Sequence, residues 1–204
     1  MLLYLIFNEN PVTKDGKINK IINGATDWVY EEEFSIHKGF EWSPDGKKLA
    51  YYVFDETDVK EFQMKMYGTL YPTHYKFKYP KAGEDNSLIS IRIFDTQYDR
   101  HFIFDIGNNP DIYIPRIMWS KRKDELIVFK MNIFQNKLEL LSGTFSMDTP
   151  NNIGIKTKPI YTEKCTTYID IHDNTSFINE NEFIWTSEKD GYNHIYLINY
   201  ACLL

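Results

Sequence analysis

The segment WSPDGKKLAYYVF begins at Trp42, and a second segment of the same design, WSKRKDELIVFKM, begins at Trp119. A third, FINENEFIWTS, begins at Phe177. Each opens on a large aromatic, crosses a short polar turn and resumes as an apolar run rich in strand-forming residues, which is the pattern of a β-hairpin. Leu49 and Leu126 both fall seven residues after their tryptophan, so the first two repeats share a register. Further alternating segments follow: LISIRIFD and RHFIFDI after the first hairpin, KLELLSGTF and GIKTKPIY after the second, NHIYLINY after the third. Four strands per unit predict the blade of a β-propeller.

The expected fold is therefore all-β, an incomplete β-propeller of four-stranded antiparallel blades, two complete and partial ones at both ends. Residues 1–26 are expected to supply the outer strands of a preceding blade, with LYLIF and KINKII flanking the turn VTKDGK. Residues 27–36 form an acidic segment, 37–110 and 111–165 the two blades, and 166–204 an unfinished one. The repeats start 77 and then 58 residues apart, longer than a compact blade, so insertions are expected, chiefly between Phe54 and Leu88. Helical periodicity is confined to the stretch around Glu31–Glu33 and that around Val59–Tyr67. Trp42, Trp119 and Trp185 are expected to pack between sheets. The opening MLLYLIF reads as a strand, lacking the basic start of a leader and ending at NENP far short of a membrane span. The closing NYACLL suggests a piece of a larger ring, whose unpaired edges would make the chain aggregation-prone or marginally folded.

Aromatics make up 16% of the chain, an excess that also favours strands. Acidic residues outnumber basic ones, 29 to 23, and the basic ones are scattered, so nucleic acid is not an expected partner. Cys165 and Cys202 lie far apart without metal or redox spacing and read as two buried thiols. No serine sits in a GxSxG elbow, and the five histidines occur singly, without HExxH. Asp170, His172 and Asp173 in DIHDN come nearest to a ligand cluster, but a solvated loop is the expectation, as it is for Lys121, Arg122 and Lys123. No metal or cofactor is expected. Asn174 heads an Asn-Thr-Ser acceptor, relevant only in a eukaryotic secretory pathway.

The stretch DWVYEEEF, residues 27–34, crowds three glutamates between apolar neighbours. In a strand they would alternate faces, whereas on a helical turn two neighbours can converge. Converging carboxylates raise each other's pKa unless a cation lies between them, and a protonated α-amine would satisfy both through charge-assisted hydrogen bonds. An exposed acidic turn is the other reading. Calcium binding by the triplet is a third.

GATDWVYEEEF, WSPDGKKLAYYVFDE, YPKAGEDN (79–86) and WTSEKDGYNHIYL, in that order, resemble consecutive landmarks of the N-terminal β-propeller of the dipeptidyl peptidase IV family, the prolyl-oligopeptidase-like serine exopeptidases. The resemblance runs from about residue 10 to residue 199. It implies that Glu32 and Glu33 bind the free N-terminal amine of a peptide, that Glu31 is structural, and that Asp27, Trp28 and Tyr30 hold the motif in place. Two extended residues span at most about 7 Å, so fixing the amine selects the bond after the second residue. The family's catalytic Ser, Asp and His lie in a C-terminal α/β-hydrolase domain with no counterpart here, so the chain is expected to be inactive alone. The resemblance also implies a homodimer in the complete enzyme and an exported or membrane-anchored setting, although the chain carries no export signal. The rival expectation is a non-catalytic propeller remnant that binds protein or glycan.

Overall fold

The computed structural model describes residues 9–145 and 154–201. The strand expected in residues 1–7 and the thiol of Cys202 lie outside the described residues.

Three antiparallel sheets follow one another along the chain. In the first, β3 (Lys48–Asp55) pairs with β6 (Leu88–Asp95), and β6 with β7 (Arg100–Phe104). The other edge of β3 is shared by two short strands, β1 (Ile21–Asn23) and β2 (Phe40–Trp42). Ile21 to Asn23 face Asp55 to Val53, and Phe40 to Trp42 face Tyr51 to Leu49. Tyr52 lies between the two sets. Its carbonyl accepts from Gly24 N–H at 3.0 Å, its N–H donates to Gly39 O at 2.9 Å, and Gly39 N–H closes the junction on Gly24 O at 3.2 Å. β1 and β2 are thus two halves of one edge strand, interrupted by the excursion 25–38. This corrects the expectation that residues before 27 belong to a preceding blade. KINKII is apolar at positions that fit either edge, and the hydrogen bonds at Tyr52 decide between them.

The second sheet runs β8 (Ile112–Trp119), β9 (Glu125–Asn132), β10 (Lys137–Thr144), β12 (Thr157–Lys164). Just before β12, β11 (Gly154–Ile155) pairs in parallel with β7, so one segment stitches the two sheets together. The third sheet is β13 (Ser176–Phe177), β14 (Glu182–Ser187) and β15 (His194–Asn199). The repeat read from the sequence is a pairing rule: Trp42 lies opposite Leu49, Trp119 opposite Leu126, and Phe177 opposite Phe183. Trp185 is not equivalent to the other two tryptophans, because it sits mid-strand opposite Tyr196. It is fully buried, whereas Trp42 is 49% exposed, contrary to the core role expected for it.

Alternation along β9 divides the interior. Leu126 and Val128 join the core between the first and second sheets, and Ile127, Phe129 and Met131 join that between the second and third. Gly143 lets these layers close up, since a Cβ there would stand 2.4 Å from Phe104. Two buried carboxylates key the second sheet to the third. Glu125 accepts from Ser120, Ser142 and Tyr200 hydroxyls, and Glu163 from Trp185 Nε1 at 2.7 Å and Ser187 Oγ at 2.6 Å. Arg122 is not in a solvated turn: it stacks on the Tyr200 ring at 4.1 Å and donates to Asn181. Cys165, expected to be buried, is exposed.

The insertion between Phe54 and Leu88 forms a separate hairpin, β4 (Glu61–Met66) with β5 (Thr73–Lys78). The helix considered for Val59–Tyr67 is therefore a strand, in which Phe62 stacks edge-on against Phe77 opposite it. The segment 79–87 then returns to the first sheet.

At Gly39 a Cβ would stand 2.7 and 2.8 Å from the backbone of Ala25. Gly39→Ala is expected to destabilise the chain by about 1–3 kcal/mol through overpacking. Gly68→Ala, where a Cβ meets no atom within 4 Å, is expected to change little. Urea midpoints of the two variants check this.

Candidate functional site

The excursion 25–38 carries α1, Trp28–Phe34, whose seven residues are too few to persist as an isolated helix. Its stability comes from its ends and its inward face. Asp27 is the N-cap: one carboxylate oxygen accepts from Tyr30 N–H at 3.0 Å and the other from Ser87 Oγ at 2.7 Å. Burial raises the Asp27 pKa, and these two hydrogen bonds offset part of that rise. At the other end Ser35 adopts the left-handed conformation, φ 54°, and Ile36 N–H returns to Tyr30 O at 3.1 Å, a Schellman-type stop. Thr26 Oγ1 donates to Ile36 O, tying the two ends together.

The inward face is led by Tyr30, which packs on Phe34, Tyr52, Phe54 and Tyr113. Its hydroxyl oxygen accepts from Ile114 N–H at 2.9 Å, and the Tyr52 hydroxyl donates to Ile114 O at 3.1 Å. Ile114 needs both partners, because the β8–β9 ladder slips between Tyr113 and Arg116. Two phenols from the first sheet thus satisfy backbone groups that the slip leaves unpaired and buried. Burial pushes both phenols far above the ordinary tyrosine pKa, so they stay protonated. Trp28 meets Tyr79 edge-on at 4.4 Å, so YPKAGEDN packs against the helix from its outer side.

Glu31, Glu32 and Glu33 are all exposed. Three consecutive helical positions sweep about 200°, and here that arc is the solvent side. Glu31 faces His37 Nδ1 at 4.0 Å. Among the described residues, Glu32 and Glu33 have no ion-pair partner within 4 Å. Glu33 borders two clefts, one of about 750 Å³ bounded by Trp28, Tyr79 and Tyr113, and one of about 280 Å³ bounded by Arg116, Tyr168 and Asp173. Glu32 lines neither. Asp170, His172 and Asp173 do not converge: His172 Nε2 bonds Thr186 O, and Asp173 is taken by Arg116. Ser87, Tyr52 and Arg116, which the sequence reading did not single out, all anchor this site. Pro115 was the available signal, since proline within a strand marks a bulge.

This assembly brings GATDWVYEEEF, YPKAGEDN and the first hairpin together, and residues 4–201 match the family described as dipeptidyl peptidase IV (DPP IV) N-terminal region. The chain belongs to that family. It is 32% identical to prolyl endopeptidase FAP of Bos taurus over 92% of its own length, and 33% identical to venom dipeptidyl peptidase 4 of Vespa velutina over 69%. The crystal structure of Porphyromonas gingivalis dipeptidyl peptidase 4 superposes on 91% of the chain with a TM-score of 0.82 at 38% identity. The chain spans about a quarter of the length of these larger proteins: 26% of the bovine one, 20% of the wasp one and 26% of the bacterial one. The fold is accordingly that of the β-propeller region of dipeptidyl peptidase IV proteins, and α1 is an insertion in the edge strand of one of its blades.

Removing the Tyr30 hydroxyl leaves a buried N–H without an acceptor. Tyr30→Phe is expected to cost about 1–3 kcal/mol, and Asp27→Ala about 2 kcal/mol from loss of the cap and of the Ser87 partner. Asp27→Asn, which keeps the acceptor, is expected to cost less than Asp27→Ala. Thermal unfolding of the three variants tests the ranking.

Proposed function

We propose that this chain is the substrate-recognition segment of a dipeptidyl-peptidase-like serine exopeptidase, in which Glu32 and Glu33 bind the free N-terminal amine of a peptide. The observation that carries the reading is the pair's placement: two exposed, unpartnered carboxylates on a short helix whose remaining side is anchored by Asp27, Tyr30 and Phe34. The placement works against the helix itself. Carboxylates favour the first turn, where only Glu31 sits, and no basic residue occupies the last turn. Acids kept where they do not stabilise the helix, on a rigid base, suit a cation supplied from outside.

An α-amine has an ordinary pKa of about 7.7–8.0, and paired carboxylates would hold it charged at neutral pH. Each charge-assisted hydrogen bond contributes about 1.5–3 kcal/mol. With the amine fixed, the second peptide bond of an extended substrate would face a nucleophile in a catalytic α/β-hydrolase domain outside this chain. Glu31, paired with His37, has a structural part in this scheme, and Trp28 anchors the helix to the loop at Tyr79.

Calorimetric titration of the chain with a free-amine dipeptide amide and with its N-acetyl form tests the proposal. The free amine should bind at least about tenfold more tightly, the equivalent of 1.4 kcal/mol. Glu32→Gln and Glu33→Gln should each remove most of that preference without lowering the melting temperature. Equal binding of the two peptides, or variants that keep the preference, would overturn the reading.

A further inference from the structure

We propose that Arg116 is the positioning residue of the acidic helix, fixing its C-terminal turn, and that Asp173 both aims Arg116 and keeps it from closing on Glu33. The inference rests on the reading of Glu32 and Glu33 as an amine site and adds to it a control on their geometry and availability.

Arg116 follows the slip in β8, and a bulge at that point re-aims the side chain. Its Nη1 donates to Phe34 O at 2.8 Å and to Pro115 O at 2.7 Å. Its Nε and Nη2 grip both oxygens of Asp173, at 2.5 and 3.2 Å. Phe34 O is one of the last carbonyls of α1, which have no partner within the helix. A guanidinium there answers the negative end of a helix that carries no basic residue of its own. Phe34 directly follows Glu33, so holding that carbonyl sets where the Glu33 backbone lies. The three residues come from different parts of the fold: Phe34 from the excursion of the first sheet, Arg116 from the second sheet, and Asp173 from the segment leading to the third. The acidic helix is thereby registered against all three.

Arg116, Asp173 and Glu33 border the same cleft of about 280 Å³. An unpaired guanidinium at its edge would be a cation available to Glu33 and a competitor for any amine. Asp173 neutralises it through the bidentate fork, and lysine could not make this set of four bonds. The guanidinium in turn holds the Asp173 carboxyl below its usual range. The fork is thus complete above that range and is lost only as the pH falls through the depressed value.

The experiment pairs the two titrations described above with hydrogen exchange of the α1 amides, in the full chain. Arg116→Met should lower free-amine affinity about tenfold, the weight of one charge-assisted hydrogen bond, and speed exchange in α1. Arg116→Lys should restore only part of either. Asp173→Asn, at a side chain 76% exposed and so of little consequence for folding, should weaken free-amine binding while leaving N-acetyl binding unchanged. Adding Arg116→Met to it should cause no further loss beyond Arg116→Met alone. Wild-type affinity and wild-type α1 exchange in Arg116→Met would overturn the proposal. A wild-type chain that binds both peptides alike overturns the amine reading, and the exchange rates then decide the positioning role by themselves.

Discussion

Everything distinctive about this chain depends on how an edge strand tolerates an interruption. Between Asn23 and Phe40 the strand leaves the sheet, makes a helical turn and returns, and the departure and the return meet at a single residue, Tyr52. The geometry demands backbones in contact. Gly24, at φ 70°, bends the chain out, and Gly39, where a Cβ would collide with Ala25, lets it back in. With both N–H groups and both carbonyls engaged at this junction, the sheet edge continues as though unbroken, and the excursion costs few unsatisfied groups. The same residue then turns its side chain to the neighbouring blade, where the Tyr52 hydroxyl reaches Ile114 O. Closure of the excursion and docking of the two blades are therefore one structural event.

A helix of seven residues draws little from its own hydrogen bonds and must take its order from outside. That dependence has a functional side. The helix cannot shift without disturbing the Asp27 cap, the Tyr30 hydrogen bond to the slipped strand, the aromatic cluster around Tyr113 and the Arg116 bond to Phe34 O. The backbone that carries its solvent face is thus tied to the core behind it. Surface acids on a freely moving loop would lose much of their binding free energy to ordering on contact with a ligand, and acids on this helix would not.

The sequence made the blades legible because hairpin repeats obey a short-range rule: aromatic, turn, apolar run. Trp42 and Leu49, seven apart, are cross-strand partners, and Trp119 and Leu126 repeat the pairing. The acidic helix was legible as a helical stretch around Glu31–Glu33, and the resemblance marked Asp27 as a residue that holds it, but the capping role of Asp27 came only from the structure. What escaped the reading was set by distant partners. Ile21–Asn23 could have joined either of two edges, and only hydrogen bonds to residues about 30 positions away decide between them. Arg122 looked like part of a charged turn, because nothing local announces that Tyr200 will lie beneath it. Trp42 looked like a core residue, yet burial requires a neighbouring element over its face, which local pattern does not encode. Arg116 and Asp173 are 57 residues apart, and neither has a local feature that names the other.

The chain uses glutamate in two opposed ways, and the contrast bears on the acidic helix. Glu125 and Glu163 are buried, and each collects donors from surrounding hydroxyl or indole groups, so their bonding capacity is filled from within the fold. They key one blade to the next, and Glu125 also faces the Arg122 guanidinium at 3.5 Å. Glu32 and Glu33 sit on the outside with no ion-pair partner among the described residues, and the guanidinium that shares a cleft with Glu33 is already occupied by Asp173. A fold able to saturate two carboxylates in its interior, and to pair the arginine that shares a cleft with Glu33, leaves Glu32 and Glu33 to solvent. Their acceptors face solvent, which leaves them available to the protonated amine proposed above.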